Sequence, residues 1–110
     1  MRLVKIENLK QAEDEMKKIK SDSIEKMAPK AVFRTVKIDK LHQSHANLIK
    51  EEMLKAGGDA AISLEAWNKK DCATDVLLFG TLKQFEDLMP GLEKNGLFAI
   101  GKQIKNLIIY

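Results

Sequence analysis

The stretch Thr74-Asp75-Val76-Leu77-Leu78-Phe79-Gly80-Thr81-Leu82-Lys83-Gln84-Phe85 decides the architecture. Val76 to Phe79 is an unbroken apolar run, which predicts a central strand buried on both faces. Thr81 and Gln84 stand three apart, the spacing of a reciprocal helix cap. Strand therefore passes into helix within two residues. Leu82, Phe85, Leu88 and Met89 supply the buried face of that helix, and Pro90 is expected to end or kink it.

Working outward, Ala31–Ile38 is β-branched and aromatic, with Val32, Val36 and Ile38 on one face and Phe33 on the other. It predicts a strand buried on one side. A helix follows, with Ser44 as its expected cap and Leu48, Ile49, Met53 and Ala56 as its apolar stripe. Lys50, Glu51, Glu52 and Lys55 are expected to face water. Gly57 suits the left-handed position past the helix end, and Gly58 loosens the turn into a strand over Ala60–Leu64. Residues 65–73 read as a loop. Upstream, Leu3–Ile6 reads as a short strand. Asn8 caps a helix carrying Leu9, Ala12, Met16 and Ile19, and a short turn starts at Asp22 and stops at Pro29. Downstream of Asn95-Gly96, a last amphipathic helix holds Ile100, Ile104, Leu107 and Ile108. The expected order is β-α-β-α-β-β-α-α. The fold class is α+β or α/β, a mixed sheet of about four strands with three to four helices packed on it.

At 110 residues, the chain is expected to form a single domain over residues 1–110. Nineteen basic against sixteen acidic residues leave +3, and no block of five carries one sign. The mixed lysines and acids around Lys10 to Lys20 are the solvated face of a helix, and no nucleic-acid or membrane partner is expected. Aromatic residues make up 5%, too few for a base-stacking platform. One cysteine excludes an internal disulfide and fits a reducing compartment. No signal-peptide core follows Met1 and no apolar stretch approaches membrane-spanning length, so the expected location is cytoplasmic.

Three ordered segments go further. They are Met27-Ala28-Pro29-Lys30-Ala31-Val32-Phe33-Arg34, the run from Ala46 to Ala61 (ANLIKEEMLKAGGDAA), and the stretch Thr74–Phe85. Together they resemble the amino-terminal extension of a subset of bacterial and archaeal dihydropteroate synthases. In that family the extension precedes a pterin-binding (β/α)8 barrel that joins a pterin diphosphate to p-aminobenzoate. The resemblance covers roughly residues 27–94. It departs at His42-Gln43-Ser44-His45, where the family tends to have small residues or proline. Nothing in the 110 residues matches the barrel's motifs, so no catalytic residue is carried over.

The resemblance implies a non-catalytic accessory or interaction domain, with a pterin-binding barrel or a second copy as partner and no cofactor. The alternative is a regulatory domain holding a small anionic metabolite. Its candidate ligand-binding residues are Gly80 and Thr81 at the helix start, with Gly57 and Gly58. Trp67, Ile108 and Tyr110 are the interface candidates, the last two because an apolar terminus either meets a partner or completes the core. Cys72, in a polar loop beside Lys69 and Lys70, has the setting of a reactive thiol, but sequence places no base against it. His42 and His45 straddle the expected cap and make a poor metal pair. Glu51 and Glu52, adjacent on a helix, point about 100° apart and cannot act as a carboxylate pair.

Overall fold

The computed structural model describes residues 1–108. The elements are α1 (Leu9–Lys18), α2 (Ile24–Met27), a 3-10 turn (Ala28–Lys30), β1 (Phe33–His42), α3 (Gln43–Ala56), β2 (Asp59–Ala61), α4 (Leu64–Trp67), β3 (Ala73–Thr81), α5 (Leu82–Lys94) and α6 (Phe98–Leu107). The class is mixed α and β.

Local chemistry placed most helix ends as read. Asn8 Oδ1 accepts the Gln11 amide at the start of α1. Gly57 closes α3 at φ +98°. Thr81 and Gln84 cap α5 reciprocally. Other boundaries moved. His42, not Ser44, is the cap of α3, its ring nitrogen accepting the Ser44 amide. Ser63 caps a short helix, α4, in place of the end of the expected strand Ala60–Leu64 and the start of the expected loop; that strand stops at Ala61. Pro90 lies inside α5 and does not end it.

The sheet departs furthest from expectation. It has three strands in the order β1-β3-β2, and both pairings are antiparallel. Because both neighbours run against β3, β1 and β2 run parallel to each other, as their linking helix α3 predicts. They are not adjacent, because the longer β3 is inserted between them. This is a split βαβ unit. The expected fourth strand, Leu3–Ile6, is not formed: the segment pairs with no strand, and Leu3 is fully exposed.

The helices cover one face of the sheet. On β3, Thr74, Val76, Leu78 and Gly80 point into the core, whereas Leu77 is 42% exposed. Alternation has won over the continuous apolar run, and β3 is central in the sheet but buried on one face only. The core joins Val32, Val36, Val76 and Leu78 to Ile49 and Met53 of α3, Leu82, Phe85, Leu88 and Leu92 of α5, and Ile104 of α6. Ile108 belongs to this core at 3% exposure. It completes the core rather than offering a contact surface, and Tyr110 lies outside the described residues. Among the described residues, no helix is long and apolar enough to cross a membrane.

Phe85 is fully buried where α5 meets the sheet. Phe85→Ala should cost about 3–5 kcal/mol through lost burial and the cavity left behind, read as a fall in the denaturation midpoint at unchanged slope.

Candidate functional site

Gly57, Gly58, Gly80 and Thr81, far apart in sequence, meet in the structure. With Phe33, Asp59, Phe79 and Gln84 they line one shallow cleft of about 390 Å³. The pairing of β2 with β3 sets Asp59 opposite Phe79 and so brings the turn after α3 against the start of α5.

Gln84 holds this junction. Its Oε1 accepts the Thr81 amide at 2.9 Å, and its Nε2 donates to the Gly57 carbonyl at 3.0 Å. The Gln84 amide donates to Thr81 Oγ1, and the Leu82 amide donates to the Val32 carbonyl. Three of the amides that a bound anion would use at this helix start, those of Thr81, Leu82 and Gln84, are therefore already bonded within the chain. The glycines have packing reasons to be there. A Cβ on Gly58 would stand 2.7 Å from both the Phe79 carbonyl oxygen and Met53 Cε, and one on Gly80 would stand 2.7 Å from Met53 Cε.

Lys50 and Glu52 correct the sequence reading, which set both toward water. The Lys50 side chain is only 19% exposed. Its ammonium donates to Asp59 Oδ1 at 3.0 Å and to the Ala60 carbonyl, and lies 5.3 Å from the centre of the Trp67 ring. One cation thus ties α3 to β2 and α4. The hydrogen bond from Lys50, helped by the Ala60 amide, holds the Asp59 carboxyl below its ordinary value of 3.8. Glu52, with its side chain 16% exposed, pairs with Lys55 and accepts from Asn95 across α5. A basic or acidic residue on a helix face gave no sequence signal for either role.

At the other end of β1, His42 Nε2 lies 2.8 Å from Asp71 Oδ1 and Nδ1 lies 2.8 Å from Ser44 Oγ. The row of groups resembles a nucleophile chain. Its members are nevertheless exposed, and the same Nδ1 accepts the Ser44 amide as the helix cap. Cys72 is half-buried, and its carbonyl accepts the Gln43 amide. Asn47, missed in the sequence, is 4% exposed. Its amide nitrogen donates to the carbonyls of Gln43 and Ala66, fastening α3 to α4, while its buried Oδ1 has no partner among the described residues. Trp67 remains 44% exposed beside Lys50.

The largest unexplained feature is the uncovered side of the sheet. Phe33 is 58% exposed there. Across the pairings Thr35 faces Phe79, Lys37 faces Leu77, and Ala61 faces Leu77 from the other strand. The result is an apolar strip flush with the glycine cleft.

Over 66 residues, 60% of this chain, the sequence is 41% identical to a probable bifunctional folylpolyglutamate synthase/dihydropteroate synthase of Haloferax volcanii. The chain matches 8% of that enzyme's length. No protein-family profile and no solved structure matches the chain. The similarity links 66 residues of the chain to a short part of a much longer folate-related enzyme.

Two outcomes follow from the geometry. Gly58→Ala should destabilise the fold by about 1–3 kcal/mol, because the Phe79 carbonyl is backbone and cannot swing aside; thermal unfolding reads it. The Asp59 pair strengthens folding at pH values above the unfolded carboxyl's titration, and that contribution is lost as pH falls through the lower folded value. Lys50→Met should raise the Asp59 titration toward 3.8, followed by carboxyl-carbon NMR.

Proposed function

We propose that this chain is a non-catalytic docking domain for a dihydropteroate synthase-type enzyme. The observation that carries the reading is the bare sheet face with Phe33, Leu77 and Phe79, in a chain of which 66 residues are similar to a short part of such an enzyme. Two-layer α/β folds bury a sheet on both sides only when a further layer arrives, and an apolar strip left open fits a neighbouring protein surface. The continuous apolar run of β3, unnecessary for a one-sided strand, fits the same need.

The chemistry inside the domain agrees with a non-catalytic role. The His42 nitrogen that would serve Ser44 as base is engaged in capping, and Cys72 sits in a turn whose bonds are structural. The metabolite-binding alternative, centred on Gly80 and Thr81 with Gly57 and Gly58, draws on the cleft they share. It is the weaker reading, since Gln84, Thr81 and Val32 already take up three of the amides that would bind an anion, those of Thr81, Gln84 and Leu82.

The test is titration of the chain against the pterin-binding synthase of the same organism by calorimetry. A saturable complex is expected, and Phe33→Lys with Leu77→Lys should weaken it by about tenfold or more. Both side chains already reach solvent, Phe33 at 58% and Leu77 at 42% exposure, so the variant should melt close to the parent. Absence of binding up to about 100 μM would remove this reading.

A further inference from the structure

Strand β1 is an edge, and the space beside it is built like a strand site. The order β1-β3-β2 leaves the outer backbone groups of β1 without a strand neighbour among the described residues. Below that edge, between β1 and α6, runs a groove of about 370 Å³. Val36, Ile38, Leu41, Ile100 and Ile104 form its apolar lining. Of these, Val36 and Ile104 belong to the buried core and Ile38, Leu41 and Ile100 pack against it, so the groove is the core continued to the surface. A split βαβ sheet extended by one strand on this side would fill it.

The same chain carries a segment of the right kind. Arg2-Leu3-Val4-Lys5-Ile6 joins three aliphatic residues to two basic ones and lies outside every helix and strand. Met1 and Leu3 are fully exposed and Val4 is 48% exposed. Only Ile6, next to the α1 cap, packs against its own core. A β-forming arm unpaired in its own chain and an unpaired edge over an apolar groove complement one another.

We propose that the amino-terminal arm of one copy adds as a strand to the β1 edge of a second copy, reciprocally, giving a two-fold strand-exchanged dimer. Lengths agree. Phe33–Ile38, the part of β1 before its register shift, spans roughly 20 Å, and the five arm residues Met1–Lys5 span about 17 Å of it. Two arms, each covered along one edge and one face, bury on the order of 1,500 Å² in total, the size of a standard stable interface. Exchange is also inexpensive, because residues 1–5 give up no core contact to leave their own chain. The inference is independent of the synthase reading, since it uses the edge and groove and leaves the apolar sheet face open.

The experiment is light-scattering gel filtration of the full chain and of a chain lacking residues 1–5. The full chain should run as a dimer at micromolar concentration and the shortened chain as a monomer with unchanged circular dichroism and melting. Leu3→Asp combined with Val4→Asp should weaken dimerisation by about tenfold or more. Cross-linking supplies the geometry. In a Cys72→Ser background, an equal mixture of Leu3→Cys and Lys37→Cys chains should yield oxidised heterodimers. A full chain that stays monomeric overturns the proposal. A dimer that survives removal of the arm also overturns it, and assigns association to another surface such as the open sheet face. A monomer in which the arm protects its own β1 amides from exchange overturns it in favour of pairing within one chain.

Discussion

The fold turns on the junction where β3 enters α5. Thr81 and Gln84 satisfy each other's amides, and the remaining Gln84 nitrogen reaches the Gly57 carbonyl at the end of α3. One side chain thus starts one helix and anchors the stop of another. Around it Gly58 and Gly80 let the backbones of β2 and β3 close against Met53, which is fully buried. A short polar side chain at position 84 would leave the Thr81 amide and the Gly57 carbonyl unpaired, each costing on the order of 1 kcal/mol or more. The convergence of glycines that resembles a ligand cradle is the consequence of this packing.

The second organising fact is one-sidedness. Every helix that reaches the core does so from the same face of the sheet, and the other face carries Phe33, Leu77 and Phe79 into or toward solvent. Small domains have little core to spend. A domain that leaves three large apolar residues on one surface and an open groove beside an edge strand has two places where another polypeptide would add to its stability. The two are distinct: the sheet face is side-chain chemistry, while the β1 edge is backbone chemistry with an apolar floor. Lys37 and Asp75, paired across β1 and β3 at 3.8 Å, lie on the open face without imposing a net charge on it.

Much of this was legible in the residues. The caps at Asn8 and Thr81, the left-handed Gly57, the apolar stripes of α3, α5 and α6, and the central place of β3 all follow from residues within four positions of one another. Those interactions form whatever the rest of the chain does. The same local logic failed where a distant partner decides. Lys50 and Glu52 have the pattern of solvated residues and are drawn in by Asp59, Trp67 and Asn95 from other elements. The α3 cap shifted to His42, whose ring is also held by Asp71 from across the chain.

By itself, then, the sequence determined a mixed α and β chain, the starts of α1 and α5, the glycine stop of α3 and the apolar stripes of the longer helices. Each of these is a property of short stretches, set by backbone conformation and side-chain spacing. Only the tertiary structure decided that β3 separates β1 from β2 and that Leu3–Ile6 stays unpaired. It alone brought Gly57 and Gly58 to Gly80 and Thr81. Strand neighbours are chosen by which pairings bury the most surface for the loop closure they require, a balance struck over the whole chain. An apolar run such as Val76–Phe79 states that its residues seek burial, and not whether this chain or another provides it.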